Sequence, residues 1–125
     1  ETSALTVLLI VLAKCLAYGL SIGGGYRGGP IFPITFIGLG IAVLSTLVFA
    51  DLPIGPMAAA AIAAAATVML RLPFTSALLA VLILGSAGMA IAPFAIIGAV
   101  VGFGMRQALD RFDARRAAAA EPAAA

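Results

Sequence analysis

Ser21 to Phe36 holds the densest set of groups in this chain that could act on a ligand: five glycines, one arginine and the start of an apolar run. Arg27 supplies a cation, and Pro33 suits a first helical turn, where its missing N–H has no partner to lose. A helix that begins after Pro30 turns its unpaired amides and the positive end of its dipole toward the glycine loop. That arrangement can hold one anion. The same glycines would serve equally well as a tight connection between two packed helices, and on pattern alone both readings stay open.

Other chemistry has few candidates. The chain has no histidine and no tryptophan, and its single cysteine, Cys15, lies within an apolar run. A His/Cys metal site, a disulfide framework and a Ser–His nucleophile all lack their parts. The expectation is therefore a protein that is not an enzyme, with no metal and no cofactor.

The elements that must position the glycine loop are apolar. Hydrophobic residues make up 64% of the chain and charged residues 10%, against roughly 45–50% and 25% in ordinary soluble domains. Between Thr2 and Met105 the only Lys, Arg, Asp or Glu residues are Lys14, Arg27, Asp51 and Arg71. The runs between them approach the roughly 20 residues that a membrane-spanning helix needs. Ala4–Leu20 reads as one span, and the glycines after Ser21 are too dense for a helix to continue. Ile31–Ala50 reads as a second helix, Asp51-Leu52-Pro53 as a turn, and Ile54–Leu70 as an alanine-rich helix. Within it Ala58–Ala66 suits close helix contact or is simple filler. Phe74–Leu84 is a shorter piece between Arg71-Leu72-Pro73 and Gly85-Ser86-Ala87-Gly88. Met89–Met105 leads into a charged helical extension ending near Arg116, and Ala117–Ala125 reads as a frayed tail. The fold class expected is all-α, a polytopic membrane protein with interrupted helices, in which backbone broken at membrane depth lines a cavity or is buried.

Single charges have local roles. Lys14 must face protein or water, because a charge at the bilayer centre costs roughly 2.5–3.5 kcal/mol on insertion scales. Arg27 is either a steering charge or a headgroup contact, and Arg71 an interface anchor or a donor at a helix connection. Arg106 and Asp110 form an attractive i, i+4 pair, whereas Arg111 and Arg115 repel at the same spacing. The arginines beyond Met105 place the carboxy terminus on the cytoplasmic side.

Gly28-Gly29-Pro30-Ile31-Phe32-Pro33, with Gly38 downstream, resembles the Gly-Gly-x-Phe-x-Pro segment that starts a helix in the CLC family of chloride channels and chloride/proton antiporters. Arg71-Leu72-Pro73-Phe74-Thr75 resembles that family's Arg-x-Pro-x-Thr step, in the expected order. The resemblance covers about Leu5 to Gln107. It implies the carboxy-terminal half of a CLC-like fold with re-entrant helices, spanning residues 1–107. Residues 108–125 then form a basic, alanine-rich cytoplasmic tail, and an amino-terminal half, with any gating glutamate, lies outside this sequence. It implies chloride or a similar anion as the transported partner, held by Gly28, Gly29, Ile31 and Phe32. It also implies a lipid bilayer environment, the plasma membrane as location, and no nucleic-acid partner. A homodimer would use Phe74–Leu84 and Met89–Met105, with Ala77, Ala80, Gly98 and Gly102 allowing close approach. Three features depart from the family pattern: Ile31 stands in the phenylalanine place, with Phe32 one residue later, and two further positions differ. Pro30 has no N–H where one would help hold the ion, and Phe112 stands near the place of a late tyrosine hydroxyl.

Overall fold

A computed structural model describes residues 3–87 and 89–121. Among these residues the chain is all-helical: α1 (Ala4–Gly23), α2 (Ile31–Val48), α3 (Ile54–Leu70), α4 (Pro73–Ile83) and α5 (Ala92–Ala120). Two 3₁₀ turns, Gly85–Ala87 and Met89–Ile91, join α4 to α5. Helices α1 and α2 and the stretch Met89–Ala120 are long and apolar enough to cross a membrane. At 1.5 Å per residue, α1 and α2 reach about 30 and 27 Å, close to the thickness of a hydrocarbon core, while α4 reaches only about 16 Å.

Local chemistry sets the boundaries. Ser3 opens α1 by accepting the Leu5 N–H at 3.2 Å. The helix runs past Leu20 to Gly23, further than the glycine content suggested, because one glycine costs a helix only about 1 kcal/mol. The break comes at Gly24 and at Gly25, whose φ of 81° is open to glycine at no steric cost. Arg71 closes α3 in the left-handed region (φ 59°, ψ 18°) and donates its N–H to the Thr67 carbonyl at 2.9 Å. Glycine usually fills such a position, and Pro73 follows two residues later to begin α4. Helix α5 starts at Ala92 rather than Met89 and passes Arg116 without a break. Ala117–Ala120, expected in the frayed tail, are helical, since alanine is the best helix former. Residues 122–125 of that tail lie outside the described residues.

Helix α3 is the centre of the bundle, with α2, α4 and α5 around it, while α1 leans chiefly on α2. The alanine run is packed, not filler. A methyl group added at Gly98 would come within 2.7 Å of the Ala60 Cα, and one at Gly102 within 2.6 Å of the Ala64 carbonyl oxygen. On the α2 side, one at Gly38 would lie 3.0 Å from the Ile62 Cα. Gly98 opposite Ala60 and Gly102 opposite Ala64 keep one offset, so α3 and α5 run parallel. Ala77, Ala80, Gly98 and Gly102, expected on a face between subunits, are buried within the chain instead. The reason is steric: α3 presents only alanine there, so the smallest residues of α4 and α5 can close on it.

The core is accordingly small-sided, with Ala59, Ala63, Ala80 and Ala95 fully buried around Ile62. Large side chains point outward: Leu16, Leu20, Leu82, Ile97 and Val100 are all more than half exposed. That distribution reverses the one water imposes and suits a helix surface in contact with lipid.

Gly98→Val should destabilise the fold by about 3 kcal/mol, the upper part of the range for overpacking a tight contact. Gly104, in the same helix with no neighbour within 4 Å of an added Cβ, provides the comparison. Gly104→Ala should leave the midpoint of thermal unfolding in detergent unchanged or raise it slightly.

Candidate functional site

Helices α1 and α2 pack antiparallel: Gly40 meets Val11 near their middle, and Lys14 reaches Phe36 nearer the glycine loop. The spacing of Lys14, Tyr18 and Ser21 puts all three on one face of α1. With Ala17 on the same helix and Phe32, Pro33 and Phe36 on α2, they line a cleft of about 440 Å³. The Lys14 ammonium lies 5.3 Å from the centroid of the Phe36 ring, within the range of a cation–π contact. Lys14 is exposed, and this ring contact sets its side chain on the cleft side of α1.

The start of α2 decides which sign of charge the cleft favours. A helix leaves its first four N–H groups without intrahelical acceptors. In α2 two of those four places are prolines, Pro30 at the cap and Pro33 in the first turn, so the unpaired donors are reduced to the amides of Ile31 and Phe32. The next amide, of Ile34, is already bonded to the Pro30 carbonyl at 3.2 Å. The carbonyl end of α1 beside it is closed differently. Gly24, Gly25 and Tyr26 donate their N–H groups to Leu20, Ile22 and Ser21 at 2.8, 3.1 and 3.2 Å. The loop therefore cancels the negative end of α1 and leaves the positive end of α2 open. Lys14 adds one cation to the cleft and Arg27 stands exposed in the adjoining loop, and neither has an acidic partner among the described residues. Asp51 lies beyond the far end of α2, about 27 Å along its axis.

Of the four residues expected to hold an anion, Phe32 lines the cleft and is 87% exposed, while Ile31, which precedes it, is not among the lining residues and offers an amide without an intrahelical acceptor. Gly28 and Gly29 are exposed and have nothing within 4 Å of an added Cβ, so no wall closes over them. Lys14, Tyr18, Ser21 and Phe36 line the cleft without having been assigned to the site from the sequence. The i, i+4, i+7 spacing of the first three was the signal for them. Packing also sets where the start of α2 lies along the bundle. Gly38 sits against Ala61 and Ile62, so Ile31, about 10 Å further along α2, is level with the last turn of α3, near Arg71. The α2 terminus thus lies at the charged end of the bundle rather than half-way along it.

Arg71 and Arg106 share one carboxylate. Asp110 Oδ1 is 3.6 Å from Arg71 Nη2 and 3.2 Å from Arg106 Nε, although the second contact is too poorly aligned to give the buried Nε–H a hydrogen bond. The Arg71–Asp110 pair is exposed and the Arg106–Asp110 pair partly buried but poorly aligned, and each contributes at most about 1 kcal/mol. Their effect is to tie the end of α3 to α5. Among the described residues no three His, Cys, Asp or Glu side chains gather into a metal-binding group. Comparison with protein-family models, with curated proteins and with solved structures gave no match to this chain.

Pro30→Ala restores a third amide at the start of α2. A hydrogen bond to a charged group is worth roughly 1.5–3 kcal/mol, so an anion site at this helix start requires the variant to bind bromide or chloride about tenfold more tightly by calorimetry of the complete protein. Unchanged affinity in a variant with intact helix content would remove Gly28, Gly29, Ile31 and Phe32 from any anion site.

Proposed function

We propose that this chain forms the carboxy-terminal membrane part of a CLC-like protein that moves chloride or a related anion across a bilayer. The observation that carries the proposal is the start of α2. Lys14, Tyr18 and Ser21 of α1 line one cleft with Phe32 and Pro33 of the first turn of α2, the amides of Ile31 and Phe32 have no intrahelical acceptor, and no described carboxylate lines the cleft. Amide and hydroxyl donors suit a halide, which needs several weak donors and no directional lone-pair partner. The two motifs of the CLC family support the same reading: the first is the segment that opens α2, and the second spans the step from α3 to α4. The re-entrant character proposed for the fold draws on the shortness of α4 and on the paired 3₁₀ turns after it. In this proposal the basic end of α5 is cytoplasmic, the protein resides in the plasma membrane, and two copies associate through the outward faces of α4 and α5. The cleft then opens at the cytoplasmic mouth of the pathway.

A second reading is a non-conducting membrane module that packs against partners. It is favoured by the two prolines that strip donors from α2 and by the open surroundings of Gly28 and Gly29.

Chloride efflux from liposomes containing the complete protein separates the two. The first reading requires efflux above that of empty vesicles, and its absence over several voltages and pH values supports the second. Arg27→Gln should slow efflux at low ionic strength and leave it nearly unchanged in high salt, because a steering charge is screened over about 8–10 Å at 0.1–0.15 M.

A further inference from the structure

Five arginines, Arg71, Arg106, Arg111, Arg115 and Arg116, gather where α3 ends and α5 leaves the bundle, against Asp110, Asp113 and Glu121. The parallel offset of α3 and α5 puts Arg71 and Arg106 near one level, and the Arg71–Asp110 contact fixes it. Before that level α5 is uncharged from Ala92 to Met105. The level therefore marks the edge of the apolar zone. Beyond it α5 continues as one rigid helix, and Arg111 stands about 8 Å and Arg115 about 14 Å further out. A headgroup layer is roughly 5–8 Å deep on each side of the hydrocarbon, so Arg111 lies within it, and Arg115 stands beyond its outer edge with a long side chain that tilts back toward the helix N-terminus and the headgroups.

The two arginines share one exposed face of α5 with Gly104, Gln107, Ala108 and Phe112, around an open depression of about 210 Å³. Neither has an acidic partner among the described residues, whereas Asp110, on a neighbouring face, is taken by Arg71 and Arg106. Their i, i+4 spacing sets like charges side by side, an arrangement that costs the helix stability until an anion lies between them. A guanidinium binds a phosphate oxygen pair as a fork, and Gln107 adds an amide donor beside it.

We propose that the face of Gln107, Arg111 and Arg115 at the base of α5 binds the phosphate of an anionic phospholipid headgroup. The charge complementarity and the position at the end of the apolar zone select a lipid over a soluble phosphate. The inference rests on α5 crossing a bilayer, as proposed above, and not on anion passage; a protein that moves no chloride would still bind the lipid.

The test is native mass spectrometry of the complete protein released from mixed micelles of phosphatidylglycerol and phosphatidylcholine, with and without inorganic phosphate. An arginine near a membrane surface adds about fivefold to anionic-lipid binding, so Arg111→Gln/Arg115→Gln should lower the preference for phosphatidylglycerol by at least about tenfold. Arg111→Lys/Arg115→Lys should keep most of that preference, and all three proteins should have equal helix content by circular dichroism. Equal retention of both lipids by the unaltered protein overturns the proposal. So does an undiminished preference in the glutamine variant, and so does inorganic phosphate that abolishes phosphatidylglycerol retention.

Discussion

The approach of α5 to α3 governs the rest of this structure. Gly98 and Gly102 carry no side chain, and the facing residues Ala60 and Ala64 carry only a methyl, so the two backbones meet with almost nothing between them. Such contacts yield dispersion energy and little else, since the apolar area an alanine can remove from water is small. A bundle held in this way gains little from water as solvent. Many of its large side chains, such as Leu16, Leu82, Ile97 and Phe74, remain on the outside, where lipid can accept them.

The same contact sets the heights of the charged groups. Because the parallel offset is fixed by paired small residues, Arg71 at the end of α3 arrives beside Asp110 and Arg106 of α5. Gly38 does the equivalent for α2, setting its start near that end of the bundle. The amide-bearing terminus of α2 and the arginine-rich base of α5 therefore share one side of the bundle, although 75 residues separate Ile31 from Arg106.

At the cleft between α1 and α2 the electrostatics come from an imbalance between two helix ends. The loop amides close the carbonyl end of α1, and nothing described closes the amide end of α2. Prolines at two of the four open positions limit how strong the positive end can be. Lys14 supplies the full charge that the backbone lacks, and its contact with the Phe36 ring holds it on the cleft side of α1.

The sequence alone determined where the helices lie and, to within a few residues, most of their ends. Apolar runs, the Asp51-Leu52-Pro53 turn and Arg71-Leu72-Pro73 are local signals, and α3 covers the stretch expected, Ile54–Leu70. Arg106–Asp110 was legible too, since i, i+4 neighbours meet whatever surrounds the helix. The end of α1 was placed too early and the end of α5 too soon, because single glycines and terminal alanines are weak local determinants that the rest of the helix can outweigh. Tertiary structure alone decided which small residues are inside. Gly98, Gly102, Ala77 and Ala80 look equally suited to a second subunit or to α3, and only the packing of the whole chain assigns them to α3. It also brought Phe36 to Lys14 and Arg71 to Asp110, pairs with no local spacing to announce them, because long-range contacts depend on how three helices settle together rather than on any one helix's pattern.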